Sequence, residues 1–351
     1  MYYETTKELL AFIKKSPTAF HAVEEMQTRL MEDGFQVLSE KEHWKLTPGG
    51  KYVVTRNHSA LIAFTIPERE SWKFHIIASH SDSPSFKIKE NPEIVVEKTY
   101  VKLNVEKYGG MLMAPWFDRP LSIAGRVIVR KDGKLEEKLI NFDRDLVMIP
   151  NLAIHMNREA NSGVSYNPQK DVLPLFSMGG SEVSLQKLLS AQFGIEEKDI
   201  LSHDLFLYNR MEGSIWGAEN EFASSGRLDD LQCAFASLKG FMSAQKQECI
   251  AVHCVLDNEE VGSGTKQGAA STFLKDTLLR INSGLGRTYE EYLMTLADSF
   301  MISADNAHAL HPNYTDKADP VNHPLLNKGI VIKYNANQKY CTDAVSAAVF
   351  K

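Results

Sequence analysis

The sequence predicts an α/β protein, a sheet covered by helices and interrupted by an inserted β-rich segment. Three apolar, β-prone runs carry the first part of that expectation: "WKFHIIASHSDSP" (Trp72 to Pro84), "CIAVHCVLDNEEVGS" (Cys249 to Ser263) and "DSFMISADNAHA" (Asp298 to Ala309). Each ends abruptly in polar residues able to bind metal. Near-continuous apolar strands are those buried on both faces, as in a sheet flanked by helices. Helical patterns lie between the runs, whereas residues 91–217 hold short β-like pieces separated by turn signals. The boundaries follow: 1–90 and 218–351 form one domain, and 91–217 is inserted in it.

Composition narrows the function classes. At 351 residues the chain has the length of about two domains of roughly 100–200 residues. Its 43% hydrophobic and 24% charged residues are those of a globular chain. The net charge of −6 leaves no basic footprint for nucleic acid. No uninterrupted apolar stretch approaches the ~20 residues of a membrane span, so no membrane partner is expected. The first residues lack a signal-peptide core. Cys233, Cys249, Cys254 and Cys341 form no CxxC pair and read as buried thiols of a reducing cytoplasm.

Taken in order, "MYYETTKELLAFIKKSPTAFHAVEEM" reads as an amphipathic helix with Leu9, Leu10, Ile13 and, past Pro17, Phe20 and Val23 on its apolar face. Within the insert, "EIVVEKTYVKLNVEKYGG" and "LSIAGRVIVRKDGKLEEKLINF" are strand-like, the second turning at Lys131-Asp132-Gly133. "SYNPQKDVLPLFSMGG" reads as a surface loop, "SEVSLQKLLSAQFG" as a helix and "HDLFLYN" as an apolar run. "LDDLQCAFASLKGFMSA" spaces Leu228, Leu231, Phe235, Leu238 and Met242 as a helix does, after start signals at Ser224, Ser225 and Gly226. "QGAASTFLKDTLLRI" reads as another helix.

The chemistry lies where the apolar runs end. Ligands of α/β sheets gather at the carboxyl ends of strands. In "ASHSDSP", His80 can bind metal through one ring nitrogen while Asp82 accepts the other N–H; a hydrogen-bonded turn histidine is the plainer alternative. Asp229 and Asp230 fall in the first turn of a helix, where carboxylates also occur for the dipole alone. One such carboxylate can instead bridge two cations about 3.5–4 Å apart. Asp305 is a further oxygen donor or a turn-forming Asp. In "DNEEVGSG", one of Glu259 and Glu260 can hold metal while the other faces the water a metal activates, taking its proton and passing it to a leaving amine. Asp257 has no assigned role. His308 and His311 in "HALHPNY" precede Pro and Asn, which favour a loop, and read equally as core or surface histidines. There is no Gly-x-Ser-x-Gly elbow, Walker loop or GxGxxG.

Together "ASHSDSP", "WFDRPLSIAGRV", "NLAIHMNRE", "GRLDDL", "DNEEVGSGTKQGA", "SADNAHALHPNY" and "GIVIKYNANQKY", in this order, resemble the aspartyl aminopeptidase family of dizinc exopeptidases over essentially the whole chain. The resemblance implies a zinc-exopeptidase-like catalytic domain with a mixed sheet flanked by helices, a β-rich insert that dimerises, and a tetrahedral homo-oligomer of twelve chains. It implies that His80, Asp229 and Asp305 hold one zinc, that Asp229 bridges to a second held by Glu260, that Glu259 is the general acid/base and that Asp82 orients His80. His155 would reach a neighbouring subunit's active site. Lys333, ending a "GIVIK" strand, would pair with an acidic substrate side chain, with His308 also at the substrate.

The family pattern continues past "QKYCTDAVSAAVF" to a late His on the second zinc, and the sequence stops at Lys351, so the Glu260 side is expected to have two protein donors and the chain to hold two zincs or one. His/carboxylate sites also accept Co or Mn. The expected activity is removal of N-terminal Asp or Glu from peptides. The alternatives are an aminopeptidase of neutral specificity and a non-catalytic, metal-binding oligomeric scaffold.

Overall fold

The computed structural model describes residues 2–69, 73–179, 182–244 and 248–351; Trp72, Gly180 and Ser181, which the sequence places in a strand, a loop and a helix, lie outside the described residues. The chain divides into two compact units, Met1–Asp305 and Asn306–Lys351.

The first unit begins with helices α1 (Tyr2–Lys15) and α2 (Ala19–Glu32). The chain then forms β1 (Gln36–Leu38), β2 (Lys51–Arg56), β3 (Ala60–Thr65) and β4 (Phe74–His80). Next come β5 (Ser85–Val96), β6 (Tyr100–Tyr108), β7 (Pro120–Lys131), β8 (Lys134–Asn141), β9 (Val147–Met148), β10 (Leu175–Ser177), α3 (Leu185–Phe193) and β11 (Ile200–Asn209). A hairpin of β12 (Ser214–Trp216) and β13 (Phe222–Ser224) leads to α4 (Leu228–Ser243) and β14 (Ile250–Leu256). Helices α5 (Phe273–Gly284) and α6 (Tyr289–Ala297) and strand β15 (Phe300–Ser303) complete the unit.

One sheet has the order β1-β2-β3-β14-β4-β15 and is mixed, with β14 and β15 both parallel to β4 and β3 antiparallel to β14. Side chains alternate across a strand, so each apolar run feeds two cores. Val53, Leu61, Ala63 and Val255 face Phe12, Val23, Leu231 and Phe235 of α1, α2 and α4. Val54, Ile62, Phe64 and Cys254 face Phe273, Ile281 and Tyr292 of α5 and α6. That explains why the runs read as continuously apolar.

The other sheet takes strands from Ser85 to Asn209, in the order β11-β5-β6-β10-β9-β7-β8, and closes on itself where β11 also pairs with β7. Closure brings the backbones together at Gly125, where a Cβ would lie 2.0 Å from the Asp204 carbonyl oxygen. Only glycine fits there. Phe86, Leu103, Val127 and Leu205 fill the interior. The β7–β8 hairpin turns at Asp132 (φ 50) and Gly133 (φ 74), the backbone a two-residue hairpin needs.

Some local expectations need correction. Pro17 splits the N-terminal helix in two; Ile13, Phe20 and Val23 are buried, while Leu9 and Leu10 are only partly so. The "surface loop" contains β10 and buries Val172 and Leu173, because the apolar "VLPLF" completes the second sheet. Of the four cysteines only Cys254 is buried, and Cys341 is exposed. Asp229 and Asp230 are not in a regular helical turn: their backbone is non-helical (φ −83, ψ 109 and φ −117, ψ 22).

In the unit Asn306–Lys351 the helix α7 (Ala344–Phe350) starts with a capping box between Asp343 and Ser346. "GIVIK" is not a strand: among the described residues 329–333 pair with no other strand, and Ile330 is exposed. A β-segment without a ladder partner has nothing to satisfy its backbone.

Candidate metal centre and active site

Three neighbouring parallel strands bring the site together. β4 ends at His80, β14 one residue before Asp257, and β15 two residues before Asp305. The entry to α4 adds Asp229 and Asp230. His80, Asp229, Asp230 and Asp305 each offer a donor atom, all within 4.8 Å of one another. Sequence reasoning treated Asp230 as an alternative to Asp229, whereas both lie in this cluster. Glu260 falls outside the four.

His80 is buried and its orientation is fixed on every side. Its backbone N–H donates to Asp230 Oδ2 at 3.1 Å. Nδ1 lies 3.1 Å from the Asp82 carbonyl oxygen and 3.2 Å from Asp82 Oδ1, which turns Nε2 toward Asp229 Oδ1 at 3.4 Å. Glu259 Oε2 is 3.9 Å from the same nitrogen. Ser83 holds the Asp229 carbonyl through a hydroxyl hydrogen bond of 2.7 Å.

Asp82 is a junction as well as a partner of His80. Its carboxylate accepts the backbone N–H of Glu259 at 3.1 Å, that of Glu260 at 3.2 Å and the Tyr108 hydroxyl at 2.7 Å. The acidic turn is locally shaped: Asn258 (φ 63), Gly262 (φ 94) and Ser263 (φ 58) bracket a 3₁₀ turn from Glu259 to Val261. Glu259 is exposed and Glu260 half-buried. Asp257 is buried and accepts the Asn258 N–H at 2.7 Å, so it shapes the start of this turn. Tyr108, Asn258 and Gly109 escaped sequence reasoning, since no local motif marks them.

The electrostatics describe a pocket of surplus negative charge. Burial raises Asp230 to about 7. Burial and the neighbouring Asp229 raise Glu260 to about 7. Burial, then Asp82, raises Asp257 to about 6. For His80, burial pulls the pKa down, but hydrogen bonding to Asp229 and Asp82 prevails and raises it to about 11. One buried oxygen, Asp230 Oδ1, has no hydrogen-bond partner among the described residues.

This donor set fits a zinc ion. Zinc takes imidazole nitrogen and carboxylate oxygen at about 2.0–2.2 Å in a tetrahedron, which sets its donors about 3.3 Å apart. The 3.4 Å between His80 Nε2 and Asp229 Oδ1 suits that. A cavity of about 390 Å³ lies behind Asp82, walled also by Tyr108, Asn258, Arg126 and Arg227, and none of the four clustered donors lines it.

The remaining expected residues are His155, Lys333 and His308. His155 is on an exposed turn between β9 and β10. In the second unit Lys333 donates to the Asn306 carbonyl at 2.6 Å and lies 5.3 Å from the Tyr340 ring centre, and His308 is exposed.

Comparison with known proteins agrees with the donor chemistry. Residues 12–351 match the family model of aminopeptidase I zinc metalloproteases (M18). The chain is 48% identical to a probable M18 family aminopeptidase 2 of Clostridium acetobutylicum, over 99% of this chain and 82% of that one. It is 40% identical to the protein of the same name from Pseudomonas putida, over 98% and 80% of the two. A chain of the cryo-EM structure of the Ape4 and Nbr1 complex superposes with a TM-score of 0.94 at 37% identity, over 98% of this chain and 71% of that one. The Saccharomyces cerevisiae mApe1 dodecamer superposes with a TM-score of 0.85 at 26% identity, over 99% and 82%. The chain therefore belongs to the M18 family of zinc metallo-aminopeptidases, which are hydrolases.

Proposed function

We propose that this aminopeptidase removes N-terminal Asp or Glu from peptides, with His80, Asp229 and Asp305 on one zinc, Asp229 shared with a second, and Glu260 on that second. The observation that carries the reading is the cluster of His80, Asp229, Asp230 and Asp305 within 4.8 Å at adjacent strand ends, with the Glu259 carboxylate 3.9 Å from His80 Nε2. Bound zinc would supply Lewis-acid polarisation of the scissile carbonyl and make water acidic enough to be deprotonated near pH 7. Glu259 takes the proton of the attacking water and returns it to the departing amine nitrogen. Asp82 keeps the His80 ring turned and, through the Glu259 and Glu260 N–H groups, holds the acidic turn against it. Lys333 pairs with the substrate's side-chain carboxylate, and His308 lies at the substrate. Cobalt or manganese can take the place of zinc in such donors.

We also infer self-association through residues 91–217 into dimers and then a dodecamer, the assembly formed by the yeast relative mApe1. His155 then completes a neighbour's site. The exposed side chains of Leu152, Ile154 and Met156 around it support this reading, since assembly would cover them. A cytoplasmic location fits the free cysteines and the finding that, among the described residues, no helix is long and apolar enough to cross a membrane.

Glu259→Gln assayed with aspartyl, glutamyl and leucyl anilides tests the proposal. The variant should keep its zinc and lose about 10²- to 10⁴-fold in kcat. Full turnover by it would remove Glu259 from the mechanism, and a leucyl preference in the parent enzyme would overturn the acidic specificity.

A further inference from the structure

The closed second sheet reaches the metal site through a strand end. β6 finishes at Tyr108, whose hydroxyl donates to Asp82 Oδ2 at 2.7 Å and accepts the Asn258 side-chain amide at 2.8 Å. Asn258 in turn uses its side-chain oxygen to accept from Thr265 at 2.7 Å and Gln267 at 2.8 Å. The next residue, Gly109 (φ +79), lies where a Cβ would come within 3.0 Å of Glu260 Cβ. One dipeptide of the β-rich insert thus touches the partner of His80, the residue that opens the acidic turn, and Glu260.

We propose that Tyr108 is a positioning residue for the hydrolytic reaction, its hydroxyl holding Asp82 so that His80 and the Glu259–Glu260 turn keep one mutual geometry. The insert is then a working part of the catalytic frame as well as a surface for assembly. The hydroxyl bonds the Asp82 carboxylate and the Asn258 side chain together, so its removal strips an acceptor and a donor of their shared partner at once. Partners of this kind behind a metal-ligating histidine typically matter about 10- to 100-fold in metal affinity or activity.

The inference rests on the reading of His80 as a zinc ligand and Glu259 as the base. Its test is Tyr108→Phe beside Phe206→Leu, because the Tyr108 ring also packs edge-on against Phe206 at 5.5 Å. Zinc affinity by chelator competition, kcat, KM and Tm are measured on the full chain. Tyr108→Phe should weaken zinc binding or lower kcat by about 10-fold or more with KM little changed. Phe206→Leu should lower Tm and leave zinc affinity and kcat within about twofold, since trimming this half-buried ring removes packing and no hydrogen bond to the site. A Tyr108→Phe protein that loses only Tm, or nothing, overturns the proposal, as does Phe206→Leu reproducing the zinc defect. Zinc affinity is read without substrate, so an active Glu259→Gln enzyme would sink the assigned base and leave this test intact.

Discussion

The backbone N–H of His80 donates to Asp230 Oδ2 at 3.1 Å, across 150 positions of sequence. That bond ties the end of β4 to the entry of α4 and sets two candidate metal donors against each other before any ion arrives.

Asp230→Asn keeps an oxygen for the His80 N–H and removes a charge from the cluster, so zinc affinity should fall by about 10-fold or more with a small change in Tm. Asp230→Ala leaves the buried N–H unpaired and should cost about 1–3 kcal/mol of stability in addition. Chelator competition and thermal melts on the two variants separate charge from hydrogen bonding.

Because the clustered carboxylates repel one another without a cation, metal should act on stability as well as on turnover. Zinc at about 100 times its Kd should add about 2.7 kcal/mol, raising Tm, and a chelator should reverse this together with the activity. Equal Tm with and without zinc would mean that the cluster does not bind it.

His253 is fully buried in β14 against α4, its Nε2 2.9 Å from the Ser237 hydroxyl and its ring stacked on Phe241. Burial lowers its pKa from 6.5 to about 4. The unfolded chain therefore takes up the proton first, and this contribution to stability is full above about pH 6.5 and is lost as pH falls toward 4. The slope in that window approaches about 1.4 kcal/mol per pH unit. Asp257, raised to about 6, opposes it, so the difference between the parent and His253→Asn isolates the histidine. Urea melts from pH 4 to 7 should show a flatter profile for the variant.

Arg126, on β7 of the second sheet, donates to Asp204 at 3.0 Å, to Glu137 at 2.8 Å and to the Asn57 carbonyl of the β2–β3 turn at 2.9 Å. Its side chain is 12% exposed. Arg126→Met would leave Asp204 to Lys87 and Glu137 to His58 as remaining partners and detach the second sheet from that turn, lowering stability by roughly 2 kcal/mol. Arg126→Lys should recover only part of this, because a single ammonium cannot reproduce the planar fork.

Much of the fold was legible because its signals are local. Apolar runs, helical spacing and the Asp132-Gly133 turn report on residues a few positions apart, and the three runs do form neighbouring parallel strands. The segments that depart from expectation do so for a non-local reason. The end of "VLPLF" becomes a strand because the second sheet has a place for it, and "GIVIK" does not because no described strand pairs with it. The site shows the same division. His80, Asp229 and Asp305 stand out as metal-binding residue types at strand and helix ends, whereas Asp230 joins them through a non-helical backbone that spacing does not reveal.

The sequence by itself determined the donor chemistry, the strands that carry it and the family. Those depend on residue type and short-range order. Only the tertiary structure decided that four possible donors meet within 4.8 Å, and that Tyr108 of the second sheet closes on Asp82, two residues past the end of β4. Such contacts join residues far apart in the chain. They exist because strand order in one sheet and closure of the other bring those chain ends together.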